Sequence, residues 1–144
     1  MTTIARVLGE KGRDIWSVSP DDTVYDAIKL MAEKGVGALL VMDGDRLAGI
    51  ISERDYARKV ILQDRSSKDT PVRDIMTATV YYIEPGRSVE DGMALMTSRR
   101  IRHLPVVEGG RVAGIVSIGD LVKTIMEDRE SQIENLERYI TGGR

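Results

Sequence analysis

Apolar and polar positions along this chain run through two periods, helical and alternating, and do so twice. Trp16-Ser17-Val18 is a short apolar stretch closed by the turn residues Ser19-Pro20-Asp21-Asp22. Behind the capping residue Thr23, the residues Val24, Ala27, Ile28 and Met31 recur at helical spacing as one apolar stripe, which Lys34-Gly35 ends. Ala38 to Met42 is a continuous apolar run, the pattern of a buried strand. Asp43-Gly44-Asp45 signals a hairpin, and Arg46 to Ile51 is the returning strand. Ser52 opens a second helix through Tyr56, Val60 and Ile61. The predicted unit is strand, helix, strand, strand, helix.

The same order returns 65 residues later, with Gly49-Ile50-Ile51-Ser52-Glu53-Arg54-Asp55 answered by Gly114-Ile115-Val116-Ser117-Ile118-Gly119-Asp120. Fourteen of the 41 positions from Trp16 to Tyr56 are identical to their partners, a duplication of one structural unit. In the second copy Tyr81-Tyr82-Ile83 is the expected first strand, and Val89, Met93 and Met96 share a helix face. Leu104 to Val107, the turn Glu108-Gly109-Gly110 and Arg111 to Val116 form the hairpin, and a helix from Ser117 to about Met126 closes the copy. A three-stranded unit with helices on one face leaves its other face uncovered, so the copies are expected to pack sheet against sheet. The expected boundaries are 1–62 for the first copy (core 15–62), 63–70 for a polar linker, 71–127 for the second copy and 128–144 for a charged helical tail. Ile133, Leu136 and Ile140 lie at helical spacing in that tail, an amphipathic face suited to a partner surface.

Composition narrows the function. With 144 residues, 4% aromatics and no Phe, the core must be built from Val, Ile, Leu, Met and Ala. Charged residues make up 31% but nearly balance at a net −2, which argues against bulk nucleic-acid binding. There is no cysteine and one histidine, so disulfides, thiol catalysis and a His- or Cys-rich metal site are excluded. No apolar run approaches the ~18 residues of a spanning helix, and no leader pattern opens the chain; a cytoplasmic protein without a membrane role is expected. A Gly-rich phosphate loop and a nucleophile paired with a base are both missing, so an enzyme is not expected.

The candidate chemistry sits at two junctions. Ser52 with Asp55, and Ser117 with Asp120, have capping-box spacing, as do Thr23 with Asp26 and Ser88 with Asp91. The first two pairs directly follow buried strands, so each Asp stands at a strand's carboxyl end, the usual ligand crevice of α/β layers. A carboxylate there accepts ribose hydroxyls, while helix-start amides face a phosphate. Arg99, Arg100, Arg102 and His103 form a dense basic cluster. Arg99 reads as a solvated helix end, whereas Arg102 and His103 lie where helix gives way to strand, and a guanidinium fork suits a phosphate. Arg54 at a helix start is mildly misplaced against the dipole, which favours an anionic partner. Trp16 and Tyr81 start equivalent strands and serve as core or as apolar cover for a base.

Two copies of strand-helix-strand-strand-helix, each with Gly-apolar-apolar-Ser-x-x-Asp at a strand-to-helix junction, resemble the paired CBS domain, or Bateman module. Asp74-Ile75-Met76-Thr77 and Arg100-Ile101-Arg102-His103-Leu104-Pro105-Val106-Val107 add to the resemblance, which covers about Ile4 to Lys123. It implies an α/β fold with the two repeats as a pseudo-two-fold pair, homodimerisation, and a regulatory role without catalysis. The implied ligand is adenosine-containing (AMP, ADP, ATP, NAD or S-adenosylmethionine), bound in the cleft between the copies, with the signal read by a downstream protein. It implies one fully equipped site of Ser52, Arg54 and Asp55 with Val80, Tyr81, Ile101, Arg102, His103 and Pro105. The other would join Ser117 and Asp120 to Trp16, Val36, Gly37 and Ala38, where the 65-residue shift supplies no cation. The rival readings are an interaction module whose cleft stays empty and a nucleic-acid binder using the arginines.

Overall fold

The computed structural model describes residues 2–140, which form two compact units, Asp14–Tyr81 and the described residues on either side of that segment. Residues 141–144 of the expected tail, and the side chain of Ile140, lie outside the described residues.

In the Asp14–Tyr81 unit, β1 (Ser17–Val18) runs parallel to β2 (Ala38–Asp43), and β2 pairs antiparallel with β3 (Arg46–Ser52). The Asp43-Gly44-Asp45 turn signal closes that hairpin, with Gly44 at φ 61°. Helix α2 (Val24–Lys34) begins where the Thr23 hydroxyl accepts the Asp26 N–H, and it stops at Gly35 in the left-handed region. Its Val24, Ala27 and Met31 are buried against Leu39, Val41 and Ile51. After β3, the short helix α3 (Glu53–Tyr56) widens into a π-turn at Ala57–Ile61 rather than continuing as one α-helix. The expected linker 63–70 carries no regular element, yet it is tied down. Thr70 is buried, its carbonyl accepts the Val24 N–H, and its hydroxyl donates to the Ser66 carbonyl.

The second unit opens with a helix the sequence reading passed over, α1 (Ile4–Lys11), capped by Thr3. Its Ile4, Val7 and Leu8 are buried; their i, i+3, i+4 spacing behind a threonine and ahead of Gly12 was a legible signal. Helix α4 (Val89–Arg99) follows the full capping box of Ser88 and Asp91. Strands β4 (His103–Glu108) and β5 (Arg111–Ser117) repeat the register of β2 and β3 residue for residue, including the irregularity at Val106/Val107 that matches Val41/Met42. The strand expected at Tyr81-Tyr82-Ile83 is reduced to a bridge between Ile83 and Val106. The cause is Pro105. Its counterpart Leu40 donates its N–H to the Trp16 carbonyl at 3.4 Å, and proline has no N–H to give. The closing helix and the tail, expected as separate pieces, are one helix, α5 (Ile118–Ile140).

Each unit is completed by a segment from outside its repeat. In the Asp14–Tyr81 unit, Thr77 exchanges backbone hydrogen bonds with Ile50 on β3, and Val72 and Ile75 enter the core. In the other unit α1 does the equivalent work beside β5. The two glycines of the duplicated motif explain the fit. A methyl group on Gly49 would meet the Thr77 carbonyl at 2.8 Å and Met76 Sδ at 2.9 Å, and one on Gly114 would meet Leu8 Cδ2 at 2.8 Å. The correspondence Thr2 to Thr70 and Leu8 to Met76 runs at a shift of 68, not 65, so a search at constant offset passes over it.

Candidate functional site

Asp55 stands in the first turn after β3 and is held in a capping box. Its Oδ2 accepts the Ser52 N–H at 3.0 Å and the Ser52 hydroxyl at 3.1 Å, while the Asp55 N–H donates back to Ser52 Oγ. Oδ1 is approached by Lys59 Nζ at 3.3 Å and the Thr77 hydroxyl at 3.5 Å. A carboxylate offers about four acceptor positions, so this one is filled by its own unit. The Lys59 and Thr77 contacts are the longest, and they are the ones a ligand hydroxyl would displace first. Lys59 is itself anchored on the Ile75 carbonyl at 2.9 Å.

Asp120 occupies the same place after β5 with a different set of partners. Oδ2 accepts the Ser117 N–H at 2.8 Å and Lys11 Nζ at 2.6 Å, and Lys11 also donates to the Ile115 carbonyl at 2.9 Å. Burial works against ionisation of Asp120, but the hydrogen bonds from Lys11 and Ser117 and the charge of Lys11 outweigh it and hold the carboxyl below its ordinary value. His103, the cross-strand partner of Ser117, is affected in turn. Burial depresses its basicity, the positive charges of Lys11 and Arg102 add to that, and Asp120 opposes them. At neutral pH the imidazole therefore favours its uncharged form.

The remaining expected residues divide between the units. Ser52 and Arg54 frame Asp55, with Arg54 exposed at the helix start. Val80 and Tyr81 are half-buried and belong to no regular element. Trp16 is 37% exposed rather than core, and Lys34 Nζ stands 4.2 Å from its ring centroid, so a cation already covers one indole face. Val36 and Gly37 are half-buried and Ala38 is buried at the start of β2, where the Gly37 carbonyl accepts the Glu53 N–H. In the other unit Ile101 is half-buried, Arg102 exposed and Pro105 buried, and the Arg102 carbonyl accepts the Ile118 N–H. Arg100 takes the left-handed conformation that Gly35 takes at the matching helix end. Sequence reasoning missed Lys11, Lys59 and Thr77. The i, i+4 spacing of Asp55 and Lys59 was visible, whereas nothing local linked Lys11 to a residue 109 positions away. Among the described residues no three His, Asp or Glu side chains gather as metal ligands, and no helix is long and apolar enough to cross a membrane.

A duplicated helix-strand-strand-helix unit, each copy presenting a capped aspartate after its hairpin, defines a tandem-repeat class of α/β protein. The pattern of the CBS domain matches residues 11–62 and again 72–127. The chain belongs to the CBS-domain family and carries a tandem pair. It is 45% identical over 152 aligned residues to the mitochondrial CBS domain-containing protein CBSX3 of Arabidopsis thaliana, covering 99% of this chain and 73% of that one. Among solved structures, a CBS-domain protein of Burkholderia ambifaria, provisionally named for signal transduction, is 61% identical with a TM-score of 0.86 over 88% of this chain and 96% of that one. A CBS domain pair solved in complex with 5′-methylthioadenosine and S-adenosyl-L-methionine shares the fold, with a TM-score of 0.79 at 23% identity over 89% of this chain and 98% of that one.

Proposed function

We propose that this CBS pair is a non-catalytic sensor that binds an adenosine-containing ligand (AMP, ADP, ATP or NAD) and passes the signal to a partner protein, acting as a homodimer. The observation that carries the reading is the pair of aspartates, Asp55 and Asp120, each fixed at a strand's carboxyl end by hydrogen bonds with its own Ser. A carboxylate held still in this way accepts the two hydroxyls of a ribose without losing further side-chain freedom. The adenosine compounds bound by the distant pair of the same fold support the ligand class. The residues proposed for the main site are Ser52, Arg54 and Asp55 with Val80, Tyr81, Ile101, Arg102, His103 and Pro105; Arg102 is the phosphate cation and His103 a neutral donor. Those proposed for the second are Ser117 and Asp120 with Trp16, Val36, Gly37 and Ala38.

The signalling step needs a surface, and α5 presents one. Val122, Met126, Ile133 and Leu136 are exposed along it. That stripe also favours a second reading, an interaction module that needs no ligand. A thermal-shift panel with AMP, ADP, ATP, NAD and S-adenosylmethionine separates the two. A ligand at 100 times its dissociation constant adds about 2.7 kcal/mol, a rise of roughly 5–10 °C for a chain of this size. A rise that Asp55→Asn or Asp120→Asn removes supports the sensor; no rise with any of the five compounds leaves the interaction module.

A further inference from the structure

We infer that Lys11 is the cation of the Asp120 site, and that it makes this site selective for ligands combining a vicinal diol with an anionic group, a ribosyl phosphate rather than a neutral nucleoside. The inference rests on the adenosine-ligand reading above and adds to it the last residue of α1.

The repeat leaves Asp120 without the cation that stands beside Asp55, because Gly119 takes the place of Arg54. Lys11 fills the gap from α1. It is not a swinging surface lysine, since it ends a helix whose Ile4, Val7 and Leu8 are buried, and its ammonium is fixed by Asp120 at 2.6 Å and the Ile115 carbonyl at 2.9 Å. An ammonium carries three N–H donors. Those two contacts use two of them and leave the third for an oxygen of the ligand. On the acceptor side, the Ser117 N–H and Lys11 both fall on Oδ2 of Asp120, and the Ser117 hydroxyl also hydrogen-bonds to the carboxylate. The ion pair with Lys11 is on Oδ2, whereas that of Asp55 with Lys59 is on Oδ1, where the Thr77 hydroxyl also donates. Side-chain exposures of 34% for Lys11 and 25% for Asp120 keep both groups accessible. An accessible carboxylate and an ammonium with a spare donor thus stand side by side, one for sugar hydroxyls and one for an anionic oxygen.

The test compares adenosine with AMP, which share base and diol and differ by the phosphate, by titration calorimetry on the full chain. The wild type and Asp55→Asn are titrated first; Asn retains capping ability while the main site loses its carboxylate. In the Asp55→Asn background AMP is expected to bind about tenfold or more tighter than adenosine, as a charge-assisted hydrogen bond requires. Adding Lys11→Met abolishes that advantage and leaves adenosine within about twofold, and Lys11→Arg restores it. Unchanged AMP affinity in Lys11→Met overturns the inference. So does tighter binding of both compounds, which would make Lys11 a competitor for Asp120. Binding by the wild type that vanishes in Asp55→Asn overturns it while sparing the adenosine reading, and no binding by the wild type overturns both.

Discussion

Gly49 and Gly114 look interchangeable in the sequence, yet different neighbours crowd them. A methyl at Gly49 runs into a backbone carbonyl, that of Thr77, which is locked in a two-way hydrogen-bonded bridge with Ile50. A methyl at Gly114 runs into the end of the Leu8 side chain, which has rotamers to retreat to. Gly49→Ala is therefore expected to cost about 2–3 kcal/mol and Gly114→Ala nearer 1 kcal/mol, as read by urea denaturation; equal costs would refute the distinction. His103 gives a second test at this scale. Its basicity is depressed in the folded chain, so as pH falls through its ordinary value of 6.5 the unfolded chain takes up a proton that the folded chain refuses. Stability therefore declines from that pH downward until the folded value is reached. Asp120, whose folded value is lowered, adds stability that is lost only at more acid pH, as the carboxyl protonates. His103→Gln should flatten the decline in unfolding midpoint between pH 7.5 and 5.5, and an unaltered slope would show that His103 is not its source.

Among the elements, α2 and α4 are matched helices that end differently. Gly35 accepts a positive φ of 65° without penalty, and Arg100 holds a φ of 55° against its own Cβ. A left-handed non-glycine residue costs roughly 1–2 kcal/mol, part of which glycine returns through the larger freedom of its unfolded chain. Arg100→Gly is expected to raise stability by about 0.5–1 kcal/mol, measured by thermal unfolding. A loss of nucleotide affinity in the same variant would show that the strained helix end serves the site. The strands carry the parallel lesson, for one proline at position 105 shortens an element that its counterpart Leu40 sustains.

At the scale of the whole molecule, each compact unit is one repeat closed by a segment outside it. Residues 72–77 close the first, and α1 closes the second by burying Ile4, Val7 and Leu8 and by linking Thr2 and Arg6 to Asp128 on α5. Deleting residues 1–11 should therefore lower amide protection across β4, β5 and α5 more than across β2 and β3, although the deleted segment precedes the latter in sequence. Hydrogen exchange followed by mass spectrometry reads this directly. Loss centred on residues 38–52 would contradict the assignment.

The amino-acid sequence by itself determined the duplication, the order of elements in the first copy, the two hairpins and the capped aspartates. All but the duplication depend on residues a few positions apart, so periodicity and turn chemistry suffice to specify them. The family followed from the same short motifs at constant offset. Tertiary structure alone decided which segment lies beneath which repeat, because α1 and residues 70–77 are selected by burial against distant strands and their 68-residue shift breaks the constant offset. It also decided the electrostatics of the site. Asp55 and Asp120 are identical in motif, but one is saturated by its own helix and neighbouring chain while the other shares a lysine 109 residues away. A carboxylate's chemistry is set by the donors within hydrogen-bonding reach, and only the folded chain brings Lys11 there.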